Sequence, residues 1–329
     1  GVQMVFIISA FLAYKSLDYY FETREYNLIN ILKWIGKKFL RLFVIYYIAC
    51  ALSIILVGGV PFWYGGDNYL TASNIIAHMM FAHDIFPIYS NSFIGVEWYL
   101  GALMIFYIIS PLLYKVNNSL WKSIIWFILF SAISEFLRVY QINNLPSGSA
   151  THVYYAYATT FGFMTQIPVW MMGIIVYYII ELMHRDKSDS STSEESVGRV
   201  IVSILLFVAG FAMTIYQCCT KSDFMKDHVV ILFGLWFAII CVGVSMCRNY
   251  IVDNPVFCLI GRYSYGVYLL HAVLFRIYSG FNLYFYNEYV TWCVGFVIIT
   301  VVSLLLSVAL TKLIDEPLQK LFKKVGRNE

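Results

Sequence analysis

Glu97 heads the stretch from Asn91 to Tyr114, NSFIGVEWYLGALMIFYIISPLLY, in which Trp98 to Leu113 are nearly all apolar. A carboxylate beside a membrane-length apolar run sits near a membrane surface, where partial withdrawal from water costs about 2.5–3.5 kcal/mol. It therefore needs a partner or a function. One reading is a structural tether, the other a group that handles a substrate. The stretch GRYSYGVYLLHAVLFR carries a second polar line, with Arg262 at its start and His271 further on. On a helix the two lie roughly 13 Å apart, which takes His271 close to mid-bilayer. Imidazole moves protons near neutral pH, so it suits general acid or base work, and it also serves as a hydrogen-bonded packing residue. The third constellation is basic. Lys33, Lys37 and Arg41 recur at i, i+4 and i+8, and Lys38 lies three before Arg41. A helix there carries one charged face, suited to lipid headgroups or to the phosphates of a cytosolic donor.

Other polar groups fall into pairs. Glu135 with Arg138 (i, i+3) and Glu181 with Arg185 (i, i+4) have the spacing of neutralising ion pairs. His78 and His83 are five apart and do not share the face that a His-x-x-x-His zinc site uses, and no metal site is visible. The seven cysteines, Cys218 and Cys219 among them, follow no metal-ligand spacing and read as packing residues. There is no GxSxG elbow, Walker loop or GxGxxG fingerprint, so any chemistry belongs to the apolar part of the chain.

The elements that must position these groups are membrane helices. At 60% hydrophobic and 12% charged, the composition excludes a soluble globular domain and predicts an all-α, polytopic transmembrane bundle. A net charge of +3 gives no support for nucleic acid as a partner. Nine spans are expected: the apolar run to Lys15, then about 42–60, 98–113, 120–139, 167–183, 200–217, 229–246, 263–279 and 290–313. The Ser-rich and charged segment at about 185–199 reads as a flexible cytoplasmic linker inside a single domain covering residues 1–329. All 22 Lys and Arg except Arg138, Lys221, Lys226 and Arg276 fall on one set of alternate loops. The positive-inside rule then places the 15–41 loop and the C-terminal tail in the cytoplasm of a multi-pass cell-membrane protein. Because the chain opens at Gly1 inside an apolar run, a tenth helix is expected upstream. The loops at 61–96 and 141–166 fall outside. Their Trp63, Tyr64, Tyr154, Tyr155 and Tyr157 are candidates for stacking on a sugar or for an interfacial aromatic belt. The 141–166 segment is read as a loop too polar for lipid.

Four stretches, in order, resemble the acyltransferase 3 family of integral membrane acyltransferases. They are GVQMVFIISAFL, KKFLRLFVIYY, GVEWYLGALMIFYIISPLL, and GRYSYGVYLLH with IDEPLQK. The resemblance implies transfer of an acyl group, commonly acetyl from cytosolic acetyl-CoA as donor substrate, to a hydroxyl of a surface polysaccharide, sugar or glycolipid. It places the donor's phosphates on Lys38 and Arg41, with Lys37 and Arg262 nearby. It gives the acidic role to Glu97 and the C-terminal Tyr and His roles to Tyr268 and His271. Trp98, Tyr268, Tyr154 and Trp63 then become candidates for substrate binding. The family's catalytic His lies on its first helix, for which no residue here stands in, so that base is expected upstream of Gly1. Gln3 and Ala10 stand where the family often has Asp and Gly. The competing classes are a transporter or flippase of lipid-linked sugars, which calls for repeated halves that the chain does not show, and a family member without catalysis.

Overall fold

The computed structural model describes residues 1–60, 63, 70–189, 197–220, 222–246, 254–281 and 287–325. Among these there is no strand. The principal helices are α1 (Val2–Glu22), α2 (Leu28–Val57), α3 (Ala72–Met79), α4 (Trp98–Val116), α5 (Leu120–Asn143), α6 (Thr151–Ala156), α7 (Phe163–Asp189), α8 (Val197–Cys219), α9 (Val229–Met246), α10 (Pro255–Gly280), α11 (Glu288–Leu310) and α12 (Glu316–Val325). Nine helical stretches among the described residues are long and apolar enough to cross a membrane. The chain is thus an all-α, multi-pass membrane protein. Helices are the only open-ended way to cross lipid with every backbone group bonded internally.

Two compact units divide the chain: Gly1–Trp34 with Tyr99–Asn249, and Ile35–Trp98 with Tyr250–Glu329. The boundaries fall within α2, at the start of α4 and after α9. They do not fall at the Ser-rich linker, whose central residues lie outside the described set.

In the first unit α7 is the central helix, packed against α1, α5 and α9. Close approach is made possible by small residues. A Cβ on Gly173 would stand 2.5 Å from the Ile7 carbonyl oxygen and 2.6 Å from Ala10 Cβ, so α1 lies directly on the α7 backbone. Contacts of this kind replace the hydrophobic drive that lipid removes. Glu135 and Arg138 form the expected pair, with two N–H···O bonds of 2.8 and 2.7 Å. The partner expected for Glu181 is Arg185, whose side chain lies outside the described residues.

The segment at 141–166 differs from its expected loop. It is helical from Thr151, and one apolar stretch runs from Thr151 to His184. Some of its polar side chains bond to its own backbone, while Asn143, Asn144, Ser147, Ser149, His152 and Tyr155 are exposed. Gln166 Nε2 donates to the Thr160 carbonyl (2.5 Å), and Thr165 Oγ1 donates to that of Ala158 (2.9 Å). They satisfy a wide π-turn at Tyr157–Phe161 that leaves carbonyls without regular helical partners.

In the second unit α10 and α11 form a tight antiparallel pair. Asn254 caps α10 by accepting from Val256 and Phe257 N–H, with Pro255 at the first helical position. The Ser307 hydroxyl donates to the Tyr263 carbonyl at 2.8 Å. The pair closes because position 266 has no Cβ, which would stand 2.2 Å from that hydroxyl oxygen. α2 is longer than its apolar core and includes the basic stretch, so Lys37, Lys38 and Arg41 are indeed helical.

The Gly173 contact is testable by thermal unfolding in detergent. Gly173→Ala should lower the melting temperature by several degrees, as overpacking by a methyl costs about 1–3 kcal/mol. An unchanged melting temperature would show that α1 does not rest on α7 there.

Candidate functional site

The second unit gathers most of the chemistry-bearing residues. Its centre is the segment between α3 and α4, which turns back into the protein. Thr71 caps α3 by accepting the Asn74 N–H. The chain then reverses at Phe81, whose φ of 56° is uncommon for a residue with a Cβ. That conformation is held by packing, since the buried Phe81 ring meets those of Phe39, Tyr46 and Tyr47 at 5.3, 4.7 and 5.9 Å. A short 3-10 turn at His83–Ile85 follows. Asn74, His78, His83, Asp84, Ser90, Asn91, Ser92 and Glu97 are all at most 2% exposed.

Glu97 organises this polar interior. Its carboxylate accepts N–H bonds from Phe93 (2.6 Å), Gly95 (2.5 Å) and Val96 (3.0 Å). Gly95, at φ 97°, is in the left-handed region, which turns neighbouring N–H groups toward one anion. His78 Nε2 stands 3.6 Å from Glu97 Oε1. His78 Nδ1 lies 2.9 Å from the Asn74 carbonyl oxygen, which can only accept, so Nδ1 carries hydrogen.

His83 has the other tautomer. Its Nε2 donates to the Glu97 carbonyl oxygen at 2.9 Å, while Nδ1 faces the Tyr46 hydroxyl at 3.4 Å. The rings of Phe93, His78 and His83 form a stack, with centroids 3.9 and 4.4 Å apart. Burial, reinforced by the neighbouring His78, pushes the His83 pKa well below its ordinary value and keeps it neutral. For Glu97 burial works upward, but the His78 contact and the Phe93 N–H outweigh it, and its pKa is lowered.

The segment is level with the middle of α2, not with its end. Tyr46 meets His83, and Ser53 Oγ donates to the Phe93 carbonyl at 2.5 Å. These contacts lie about 6–16 Å before Val57, where α2 ends.

α10 ties the parts of the unit together. Tyr265 hydroxyl donates to the Leu42 carbonyl (2.6 Å), Tyr268 hydroxyl to that of Val96 (2.6 Å), and Arg276 Nη1 to that of Gly59 (2.5 Å). At the basic end Lys37 and Arg41 are exposed and Lys38 is half-buried. Gln319 of the IDEPLQK stretch donates to the Leu40 carbonyl (2.6 Å), and Asp315 interacts electrostatically with Arg41. Arg262 is exposed on the first turns of α10.

His271 faces elsewhere. Its Nδ1 is 3.2 Å from the Val267 carbonyl oxygen, and its ring borders a cavity of about 570 Å³ between α10 and α11. Among the described residues no hydrogen bond or ion pair joins it to Glu97. Three residues along a helix turn a side chain by about 60° from its predecessor, so Tyr268 faces the Glu97 segment while His271 looks toward α11.

The aromatic candidates are divided too. Trp63 and Trp98 are buried, at 7% and 4% exposure, and Trp63 Nε1 donates to the Pro87 carbonyl at 3.3 Å. Tyr154, half-buried, belongs to the first unit, and Tyr64 lies outside the described residues. Sequence reasoning set His78 and His83 aside with the zinc motif, and it had no signal for Asn74, Ser92 or Tyr46. Their partners are brought together only by the reversal at Phe81.

The pH dependence of stability follows from these shifts. Both groups hold fewer protons folded than unfolded, so stability falls as pH falls. The His83 contribution is lost from about pH 6.5 downward, and that of Glu97 from about pH 4.5 downward as its lower folded pKa is approached. The melting temperature should decline between pH 7 and pH 4, with the upper part of the decline absent in His83→Gln. A flat profile for the unsubstituted protein would contradict it.

No curated protein and no solved structure matches the chain. The acyltransferase 3 family profile, an acyltransferase domain, matches residues 1–312, which takes in every helix from α1 to α11. With the four stretches that resemble this family set along one membrane-helix protein, the chain belongs to the acyltransferase 3 family of membrane acyltransferases.

Proposed function

We propose that the protein transfers an acyl group, acetyl in the simplest case, from cytosolic acyl-CoA to a hydroxyl of a surface sugar, polysaccharide or glycolipid. The observation that carries this reading is the course of α10. It runs from Arg262, at the end of the second unit that carries the exposed Lys37 and Arg41 and the half-buried Lys38, past the Glu97 segment at Tyr268, to His271. The charge asymmetry of the sequence puts the basic end in the cytoplasm, with the C-terminus.

In this reading the cations hold the donor's phosphates, which guanidinium and ammonium groups bind strongly. The thioester then lies roughly 13 Å along α10 from Arg262, at His271. The acceptor oxygen attacks the thioester carbonyl carbon, the C–S bond breaks, and the hydroxyl's proton ends on the departing thiolate. His271 is suited to carry that proton. Its Nδ1 hydrogen is bonded to the Val267 carbonyl, which leaves the Nε2 lone pair toward the cavity. Glu97 does not touch substrate in this arrangement, because its carboxylate is engaged by three backbone N–H groups and His78. It acts as a positioning residue, setting the Val96 carbonyl that receives Tyr268 and hence the wall beside His271.

Lys38→Ala with Arg41→Ala is expected to weaken acetyl-CoA binding at least about tenfold and to flatten its salt dependence, since two phosphate contacts are removed. Titration calorimetry on the detergent-solubilised protein measures both. Wild-type affinity in the double variant would sink the assignment of the donor site.

A further inference from the structure

The cavity beside His271 is far larger than an acetyl group needs. It occupies about 570 Å³, within the range of ligand sites, and follows α10 from Val267 to Ser279 against Thr291 to Ser303 of α11. That is about 18 Å of helix, of which about 12 Å lies beyond His271 on the side away from Arg262.

Its walls have the chemistry of a hydrocarbon slot. The hydroxyls along it are turned back onto their own helices: Thr300 donates to the Phe296 carbonyl (2.7 Å), Ser303 to that of Thr300 (3.0 Å), and Ser279 to that of Arg276 (2.9 Å). They present methyl and methylene surface to an occupant. One polar atom remains toward the space, His271 Nε2, near the end facing the basic cluster. The Tyr278 hydroxyl, near the far end, is buried against Gly295. The Tyr278 ring fits there because position 295 has no Cβ, which would stand 2.9 Å from it.

We infer that this groove receives the acyl chain of the donor, and that the chain is of medium length. The inference rests on the proposed use of acyl-CoA and deepens it. With phosphates at the basic end and the thioester at His271, the only direction left for the acyl chain is onward into this slot. A donor chain is favoured over a bilayer lipid by that continuity, since the polar His271 Nε2 lies where a thioester would lie and the apolar length begins there.

The test uses the full chain in phosphatidylcholine nanodiscs, with acetyl-, butyryl-, octanoyl- and dodecanoyl-CoA as probes. Each methylene transferred from water is worth roughly fourfold in affinity when fully buried, so even a half-open groove should favour octanoyl- over acetyl-CoA at least about tenfold. Thr300→Trp, at an exposed position facing the groove, should collapse that ratio toward one. Octanoyl-CoA with a terminal diazirine should label α10 and α11, as mapped by mass spectrometry, and unlabelled octanoyl-CoA should compete.

Equal affinity along the series, or an unchanged ratio in Thr300→Trp, overturns the inference and leaves acyl-CoA binding at the basic end intact. Labelling of the groove by diazirine phosphatidylcholine that octanoyl-CoA does not displace overturns it in favour of a lipid slot. Absence of binding by any acyl-CoA removes the proposed function itself, and the inference with it.

Discussion

Of the buried carboxylates Asp84 and Glu97, it is Glu97 around which the second unit is built. Glu97 is withdrawn from solvent, and an unpaired charge there is prohibitive, so the segment before α4 must wrap it with donors. Phe93, Gly95 and Val96 supply N–H groups, and His78 supplies a ring beside it. That requirement explains the left-handed Gly95, the reversal at Phe81 and the enclosed polar interior. It also fixes the Val96 and Phe93 carbonyls, onto which α10 and α2 then dock through Tyr268 and Ser53. One electrostatic demand is thus converted into helix positions through short hydrogen bonds.

The first unit is held differently. There the helices approach along small residues, with the Asp18 carboxylate of α1 accepting from the Tyr177 hydroxyl of α7. Gly173, Gly210, Gly234 and Gly243 each bring a neighbouring helix to within 3.0 Å of where a Cβ would be. Such packing gains dispersion over many atoms and is indifferent to protonation.

The division of labour along α10 also has a geometric cause. Tyr265, Tyr268 and Arg276 fall within about 80° of one another around the helix and bond to α2 and to the Glu97 segment. His271 is turned away from them toward α11. A helix can thus bond to one neighbour and present a histidine to another within three positions.

The helical class, the spans, the multi-pass membrane character and the family are legible in the sequence, because apolar runs and local motifs are short-range properties of the chain. The basic face at Lys37, Lys38 and Arg41 and the Glu135–Arg138 pair are legible for the same reason, being set by helical spacing alone. What tertiary structure decided is where each polar group finds its partner. It gave Glu97 to His78, nineteen positions earlier, and turned His271 to α11. It also buried Trp63 and Trp98 and made the Tyr- and Thr-rich 151–161 stretch helical, with Gln166 bonding to the Thr160 carbonyl. Composition records that a residue can form hydrogen bonds. Whether water, a substrate or the protein's own backbone receives them depends on contacts between segments distant in the chain, which no local pattern encodes.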